Sequence, residues 1–249
     1  MRHSAPAITL ALALLVLSPV MLSAQQPAPD FLFGPPNGMV GFRSGWVFAR
    51  AESDLQSFIQ RTLTVDRKDF NAPAIGMDVE FWLTPRASIV GGFDWSQASK
   101  DSEYRDFVDN QRLPITQSTR LRELNLSGSV KFALTPHGRE ISRRAWIPAA
   151  VTPYVGAGAG LLRYELLQYG DFIDVNTVNM EVFTDTLRSD GWRPSAQVFG
   201  GVDIKLLKRM YLSGEARYLW SNATPDLDFD FDSIDLTGLK ATVGIHYMF

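Results

Sequence analysis

Charged residues occupy alternate positions in several segments of this 249-residue chain, and apolar residues occupy the positions between them. Alternate side chains of an extended strand share one face, so the charges of each segment lie opposite its apolar face. If the charged faces meet in a narrow interior, the charges must pair, because a buried unpaired charge is costly. The residues concerned are Arg43, Asp78, Glu80, Asp94, Glu123, Glu215, Arg217 and Lys240.

These charges predict a buried ion-pair network centred on Arg43 and Arg217. Counted along each segment from the same end, most members fall at similar depth, whereas Glu123 and Lys240 lie nearer the opposite end. Two functions remain open for such a network. It either plugs the interior as a structural element or lines a gated path for ions or small solutes.

Other chemistry has little support in the sequence. The chain has no cysteine, so it offers neither a disulfide nor a thiolate metal site. Gly156, Gly158 and Gly160 lie inside a strand pattern, whereas a dinucleotide-binding loop lies between a strand and a helix. We therefore expect no cofactor and no bound metal.

Eight segments show the period-two alternation of half-buried strands. Most have about the 9–11 residues that a tilted transmembrane strand needs. The predicted strands cover residues 39–50, 73–83, 87–96, 121–132, 152–164, 192–206, 210–220 and 238–249.

The two ends of the chain indicate export. Residues 1–24 combine a basic start, an apolar run at 8–17 and a small residue, Ala24, before the expected cut, which is the pattern of a secretory signal peptide. Residues 25–38 are rich in Pro and Gly and are predicted to form a periplasmic lead-in, followed by a barrel domain over residues 39–249. In the last strand Phe249, Tyr247 and Ile245 share one apolar face, as lipid-facing residues of a barrel strand do.

The signal peptide, the eight alternating segments, the run Pro153-Tyr154-Val155-Gly156-x-Gly158 and the terminal Phe249 resemble the small eight-stranded outer-membrane β-barrels of the OmpA/OmpW/OmpX type. This resemblance implies an all-β fold, an eight-stranded antiparallel up-and-down transmembrane barrel, in the bacterial outer membrane. It also implies that Tyr247 and Phe249 form the C-terminal signal recognised by the barrel-assembly machinery. The family shares no catalytic motif, so no catalytic residue is carried over.

Connection lengths predict the orientation of the barrel. Residues 84–86 and 207–209 form tight turns and 133–150 a longer basic one, whereas 51–71, 98–118, 165–191 and 221–235 are predicted long loops. Short periplasmic turns and long extracellular loops are typical of such barrels, which places both termini in the periplasm. The alternating acidic and apolar segment 225–235 is interpreted as an extracellular extension of the last two strands, with divalent-ion contact to lipopolysaccharide phosphates as an alternative.

The function expected from the sequence is a structural or surface-interaction role, with outer-membrane lipid, lipopolysaccharide and the barrel-assembly machinery as partners. The alternative is a narrow channel or transporter for small hydrophobic or ionic solutes, disfavoured for hydrophobic compounds by polar residues predicted at the extracellular end of the lumen. An outer-membrane lipid-modifying enzyme is less favoured, since neither His137 nor His246 is placed at the extracellular rim. The net charge of −3 disfavours a nucleic-acid partner, and we expect a monomer.

Overall fold

The computed structural model describes residues 31–109, 111–142, 145–173, 182–225 and 233–249. The predicted signal peptide and residues 25–30 of the predicted lead-in therefore lie outside the described residues. None of the helices in the described part of the chain is long and apolar enough to cross a membrane.

Eight antiparallel strands close into a barrel, which confirms the predicted fold. Each strand pairs with its neighbours in chain order, and the last pairs with the first, so the barrel has no free edge at its waist. The barrel strands are β1 (Gly38–Ala49), β2 (Ala72–Trp82), β3 (Ala87–Val108), β4 (Pro114–Ala133), β7 (Val151–Ile173), β8 (Val182–Lys205), β9 (Met210–Trp220) and β12 (Gly238–Met248).

Four short strands lie outside the barrel. They form two small hairpins, β5 (Gly138–Ser142) with β6 (Ala145–Pro148), and β10 (Asn222–Ala223) with β11 (Ile234–Asp235). The first lies at the end of the barrel that holds the start of β1 and the end of β12, here called the terminal end. The second lies at the opposite end, here called the loop end.

The outer surface of the barrel is apolar. Outward side chains on every barrel strand are exposed although they are aliphatic or aromatic, which in a closed barrel is the property of a surface that contacts lipid. Exposed aromatic residues border this belt at both ends, as the aromatic girdles of membrane barrels do. They are Phe81, Phe132, Tyr247 and Phe249 towards the terminal end, and Trp46, Phe48, Trp192 and Trp220 towards the loop end.

The loop end differs from the sequence prediction. Residues 98–118 and 165–191 were predicted to be loops, but the β3–β4 and β7–β8 hairpins continue as paired strands through much of both ranges. These extensions lie beyond the aromatic border of the apolar belt, so one apolar face is not required and the alternation that marks a membrane strand is absent. Backbone hydrogen bonds between the strands maintain them instead.

The connection between β1 and β2 also contains structure that the prediction lacked. Helix α1 (Asp54–Thr62) begins with a capping box, in which Ser53 and Gln56 each bond the other's backbone amide, and a 3₁₀ helix spans Arg67–Phe70. Leu55 and Ile59 lie on the buried face of α1. Likewise, the predicted turn at 133–150 carries the β5–β6 hairpin.

Candidate functional site

A network of ion pairs crosses the middle of the lumen, and Arg43 on β1 is its most connected member. Its Nε lies 2.8 Å from Asp78 Oδ2, its Nη1 2.7 Å from Glu215 Oε1 and its Nη2 3.5 Å from Asp94 Oδ1. The backbone positions opposite Arg43 on the two neighbouring strands are Gly76 and Gly244. These glycines leave room for the guanidinium group: a Cβ at Gly244 would lie 2.7 Å from Arg43 Cγ.

Arg217 on β9, two strands from β1 around the barrel, contacts two of the same carboxylates. It lies 3.2 Å from Asp94 and 2.8 Å from Glu215, and its guanidinium carbon is 4.9 Å from the centre of the Phe199 ring. His246 Nε2 lies 3.0 Å from Asp78 Oδ1. The two arginines thus compensate most of the charge of the three carboxylates in a buried interior, where each carboxylate needs a nearby cation.

A second cluster lies nearer the terminal end and includes Glu80. Lys131 Nζ is 2.8 Å from Glu80 and 2.9 Å from Asp203, and all three side chains are buried. Ser88 Oγ and Trp82 Nε1 also donate hydrogen bonds to Glu80. Glu80 therefore pairs with Lys131 rather than with Arg43, contrary to the grouping drawn from the sequence.

Lys131 and Asp203 were absent from the predicted set, although a signal for them exists. Each lies two residues before the terminal-end boundary of its strand, β4 and β8, and Glu80 has the same position in β2. The equal distance from the strand ends indicates that Lys131, Asp203 and Glu80 lie at the same depth. Because β3 and β7 separate β2, β4 and β8, the contact between the three side chains becomes visible only in the closed barrel.

Tyr154 on β7 connects the two clusters. Its hydroxyl lies 3.2 Å from Glu215, to which it donates, and 3.1 Å from Ser213 Oγ. Lys131 Nζ lies 3.9 Å from the centre of the Tyr154 ring, a cation–π distance. Charged and aromatic groups therefore extend without interruption from one cluster to the other.

Glu123 and Lys240 lie beyond the network towards the loop end. In the described part of the chain neither forms an ion pair within 4.0 Å, although Lys240 interacts electrostatically with both Asp94 and Glu123. Ser96 Oγ lies 3.5 Å from Glu123. Glu123 and Lys240 line a cavity of about 10 Å³, which is about the least that a single water requires.

An apolar layer closes the lumen at the loop end, where the sequence predicted a polar lining. Leu121, Leu162 and Leu219 point inward beyond Lys240, and α1 covers them with Leu55 and Ile59. The polar residues of the prediction lie at or below this layer. The layer was not predicted, because the leucines lie beyond the last polar residues of the inward faces.

Hydrogen bonds between α1 and β11 hold α1 in place over the apolar layer. Gln56 Nε2 donates to the Asp235 carbonyl at 2.8 Å, and the Asp235 amide donates to Gln56 Oε1 at 3.2 Å. Arg50 Nε donates to the Asp235 carboxylate at 2.8 Å. Burial acts to raise the pKa of Asp235, but the bonds from Arg50, Thr237 and Glu52 outweigh it and hold this pKa below its usual range.

An aromatic layer closes the terminal end. Leu32 and Trp146 exchange two backbone hydrogen bonds of 2.8 and 3.0 Å, which bring Trp146 over the lumen beside Met39 and Met248. Trp82 stacks on His137 with ring centres 4.3 Å apart. Burial of His137 lowers its pKa, and nearby Lys131 acts in the same direction, while Glu80 acts against it.

The two C-terminal aromatics lie on the outer surface. The Phe249 ring meets Phe81 edge to face at 6.0 Å, and its backbone bonds to Asn37 and Gly38 at the start of β1. Tyr247 is exposed in the same row. The last residue therefore fixes the seam at which the barrel closes.

The described residues offer little support for a metal site or for catalysis by histidine. Within them, no group of three or more His, Asp or Glu side chains is arranged to hold a metal ion. The acidic segment singled out in the sequence falls largely on residues 226–232, which lie outside the described residues. His137 and His246 both lie in the half of the barrel nearer the terminal end.

Comparisons with known proteins report similarity in structure only. No family model matches the chain, and no curated protein is significantly similar to it in sequence. Neisserial surface protein A superimposes with a TM-score of 0.49 at 10% identity, over 85% of this chain and 96% of that chain. The outer membrane protein OprG from Pseudomonas aeruginosa gives 0.47 at 10% identity, over 88% and 99%. The outer membrane protein AlkL, solved in DMPC bilayers, gives 0.41 at 15% identity, over 92% and 97%.

The strand order, the register and the exposed belt of this chain, rather than these scores, define its fold. That fold is the one of the small eight-stranded outer-membrane β-barrels.

Proposed function

We propose that this protein is an integral outer-membrane barrel with a sealed lumen, and that its role is structural or depends on contacts made at its loop end. The termini then lie in the periplasm, and the tall β3–β4 and β7–β8 hairpins project from the cell. Tyr247 and Phe249 serve as the assembly signal read by the barrel-assembly machinery. The closed strand order and the aromatic-bordered apolar belt support the membrane location.

The proposal of a sealed lumen rests on three layers that follow one another along the barrel axis. The aromatic layer lies at the terminal end, the charged network at the centre, and the apolar layer under α1 at the loop end. Each layer excludes a different class of solute. Ions are opposed by the apolar layers, and apolar compounds by the fixed charges.

Planar-bilayer recording tests this proposal. Wild-type protein is expected to give no steady conductance. Arg217→Ala is expected to lower the melting temperature and still give no conductance, because the apolar layers remain. Arg139→Ala, at an exposed position of the β5–β6 hairpin, is the matched control. Conductance that rises in Arg217→Ala without loss of stability would show that the network is a gate.

Orientation has its own test, made simple by the lack of cysteine. Thr186→Cys places a thiol on the β7–β8 hairpin, and Lys208→Cys places one in the turn between β8 and β9. A membrane-impermeant maleimide should label the first in intact cells and the second only after the outer membrane is opened. The reverse result would invert the proposed orientation.

A second candidate function is favoured by the apolar layer itself. If α1 lifted, Leu121, Leu162 and Leu219 would line a path suited to small apolar solutes. Gln56→Ala removes the bonds that hold α1 to β11, whereas Gln60→Ala removes only one bond, to the carbonyl of Ala51 just before α1. Vesicle swelling with small apolar solutes that rises for Gln56→Ala but not for Gln60→Ala would support transport. Rates equal to protein-free vesicles for all three proteins would exclude it.

A further inference from the structure

In the ranges that the structure describes, basic residues gather on the outer surface of one side of the barrel. The register aligns three successive outward rows across β3, β4, β7 and β8. From the belt towards the loop end, these rows are Trp95–Leu124–Arg163–Trp192, then Gln97–Arg122–Glu165–Asp190, then Ser99–Arg120–Leu167–Arg188. The first row belongs to the aromatic girdle at the loop end. Its arginine, Arg163, therefore lies in a row that begins and ends with tryptophan, at the border of the lipid belt.

The arginines of this surface are here called the arginine patch (Arg120, Arg122, Arg163 and Arg188), and two carboxylates hold all of them except Arg120 in place. Glu165 lies 3.0 Å from Arg122 and 3.4 Å from Arg188, and Asp190 lies 3.3 Å from Arg188 and 3.4 Å from Arg163. Four guanidinium groups against two carboxylates leave the patch with two positive charges in excess. Arg120 Nε is also buried without a hydrogen-bond partner in the described structure.

The rest of the loop-end border does not repeat this arrangement. Outward positions of β1, β9 and β12 at the same level are Phe48, Tyr218, Trp220 and Leu239, which are apolar or aromatic. The nearest cation there, Arg50, is already paired with Asp235. Among the described residues, an excess of positive charge at the membrane border is therefore found on the β4–β7–β8 side.

We infer that the arginine patch binds the phosphate groups of anionic lipid in the leaflet at the loop end. A guanidinium group donates two parallel hydrogen bonds to a phosphate, and Arg163 and Arg122 lie where lipid headgroups meet the girdle. Trp95 and Trp192 contact the apolar part of the same lipid. Glu165 and Asp190 orient the arginines before the lipid arrives, which reduces the side-chain entropy lost on binding.

This inference rests on the proposed outer-membrane location, because it assigns the lipid to the outer leaflet of that membrane. It commits to a lipid-bound phosphate rather than a free one. The Trp95–Leu124–Arg163–Trp192 row is continuous with the lipid belt, so an acyl chain and a phosphate can be contacted together. A soluble phosphate would use only the charged half of the surface.

Binding of diphosphoryl lipid A to the purified full-length chain in neutral phosphatidylcholine nanodiscs tests the inference. Arg122→Gln/Arg163→Gln is expected to weaken binding by about tenfold or more, because charge-assisted hydrogen bonds are lost. Arg86→Gln/Arg209→Gln makes the same change of charge in exposed turns at the terminal end and should bind as the wild type does. Gel mobility with and without heating confirms that every variant is folded.

A further variant separates recognition from general attraction. Glu165→Gln makes the patch more positive but removes the carboxylate that orients Arg122 and Arg188, so it should bind lipid A less tightly than the wild type. Tighter binding would show general attraction to positive charge and would overturn the inference. Loss of affinity that is equal in the two arginine double variants would overturn the inference. Competition by inorganic pyrophosphate as strong as that by lipid A would overturn the assignment to lipid. These outcomes leave the outer-membrane location standing, since that depends on fractionation and labelling.

Discussion

Single residues at the centre of the lumen show how a barrel of this width tolerates charge. Arg43 contacts three carboxylates and Arg217 contacts two, and Asp94 and Glu215 are shared between them. Sharing keeps each carboxylate close to a cation even though the carboxylates outnumber the arginines. Removing one member leaves buried charges uncompensated, so the expected cost is that of breaking a buried pair.

Arg43→Ala should therefore destabilise the barrel more than Arg217→Ala. Breaking a buried pair costs about 3–5 kcal/mol, and Arg43→Ala is expected at or above the upper end because Asp78 also loses its arginine. Urea unfolding in lipid vesicles measures both. Arg86→Ala, in an exposed turn, should change the free energy of unfolding by less than about 0.5 kcal/mol. Equal losses for Arg43→Ala and Arg217→Ala would contradict the central place given to Arg43.

His137 makes the stability depend on pH. Because burial lowers its pKa, the folded protein binds fewer protons than the unfolded chain just below the usual pKa of about 6.5. Stability is thus fully present above about pH 6.5 and falls as the pH drops towards the folded-state pKa. His137→Phe keeps a ring against Trp82 but cannot titrate, so its stability should fall less. Vesicle unfolding between about pH 5 and 8 compares the two slopes, and parallel slopes would exclude His137 as the cause.

At the scale of elements, each strand presents two different surfaces, and glycines on the two faces have different roles. Gly158 on β7 points into the lumen, where a Cβ would lie 2.4 Å from the Gly128 carbonyl oxygen and 2.1 Å from Ser129 Oγ. Gly128 on β4 points outward, where a Cβ would meet nothing within 4 Å. Close approach of strands around a filled lumen requires the first glycine and not the second.

Gly158→Ala is therefore expected to destabilise the barrel by about 1–3 kcal/mol, since the backbone of β4 must shift. Gly128→Ala, on the strand beside it, should alter the free energy of unfolding by no more than about 0.5 kcal/mol. The same vesicle unfolding assay measures both. A larger loss for Gly128→Ala would mean that the assigned faces of β4 and β7 are exchanged.

The loop-end elements were the least predictable from the sequence. The alternation of β3 and β4 was recognised only as far as the bilayer imposes it, so the paired extensions up to Val108 and from Pro114 were predicted to be loop. Helix α1 had a local signal, the spacing of Ser53 and Gln56 followed by Ile59. What α1 covers could not be inferred, because its partners Leu162 and Leu219 are more than a hundred residues away in the chain.

For the whole molecule, closure depends on the contact between the first and last strands. Phe249 contributes to this seam through Phe81 and through backbone bonds to Asn37 and Gly38. A structural role and an assembly-signal role for Phe249 make different predictions. The first concerns the stability of the folded barrel, and the second concerns only its insertion in cells.

Phe249→Ala should reduce the amount of folded protein in the outer membrane of cells, because the proposed assembly signal is lost. Phe81→Ala removes the same ring contact but leaves the C-terminus intact, so its yield in cells should stay near that of the wild type. In vesicles the two variants should unfold at similar urea concentrations. Equal yields in cells would argue against an assembly signal at Phe249.

The eight strands, their lipid-facing and inward faces and the absence of thiol chemistry follow from the amino-acid sequence. Period-two alternation is a property of each strand taken separately, and the boundary between lipid and interior imposes it on every one. Which charges meet depends on the folded barrel. The stagger between strands arises from closing the barrel, and it brings Glu80 to Lys131 and Asp203 and leaves Asp78 to Arg43. Closure likewise places α1 over the lumen, because a cover depends on contacts that no single segment contains.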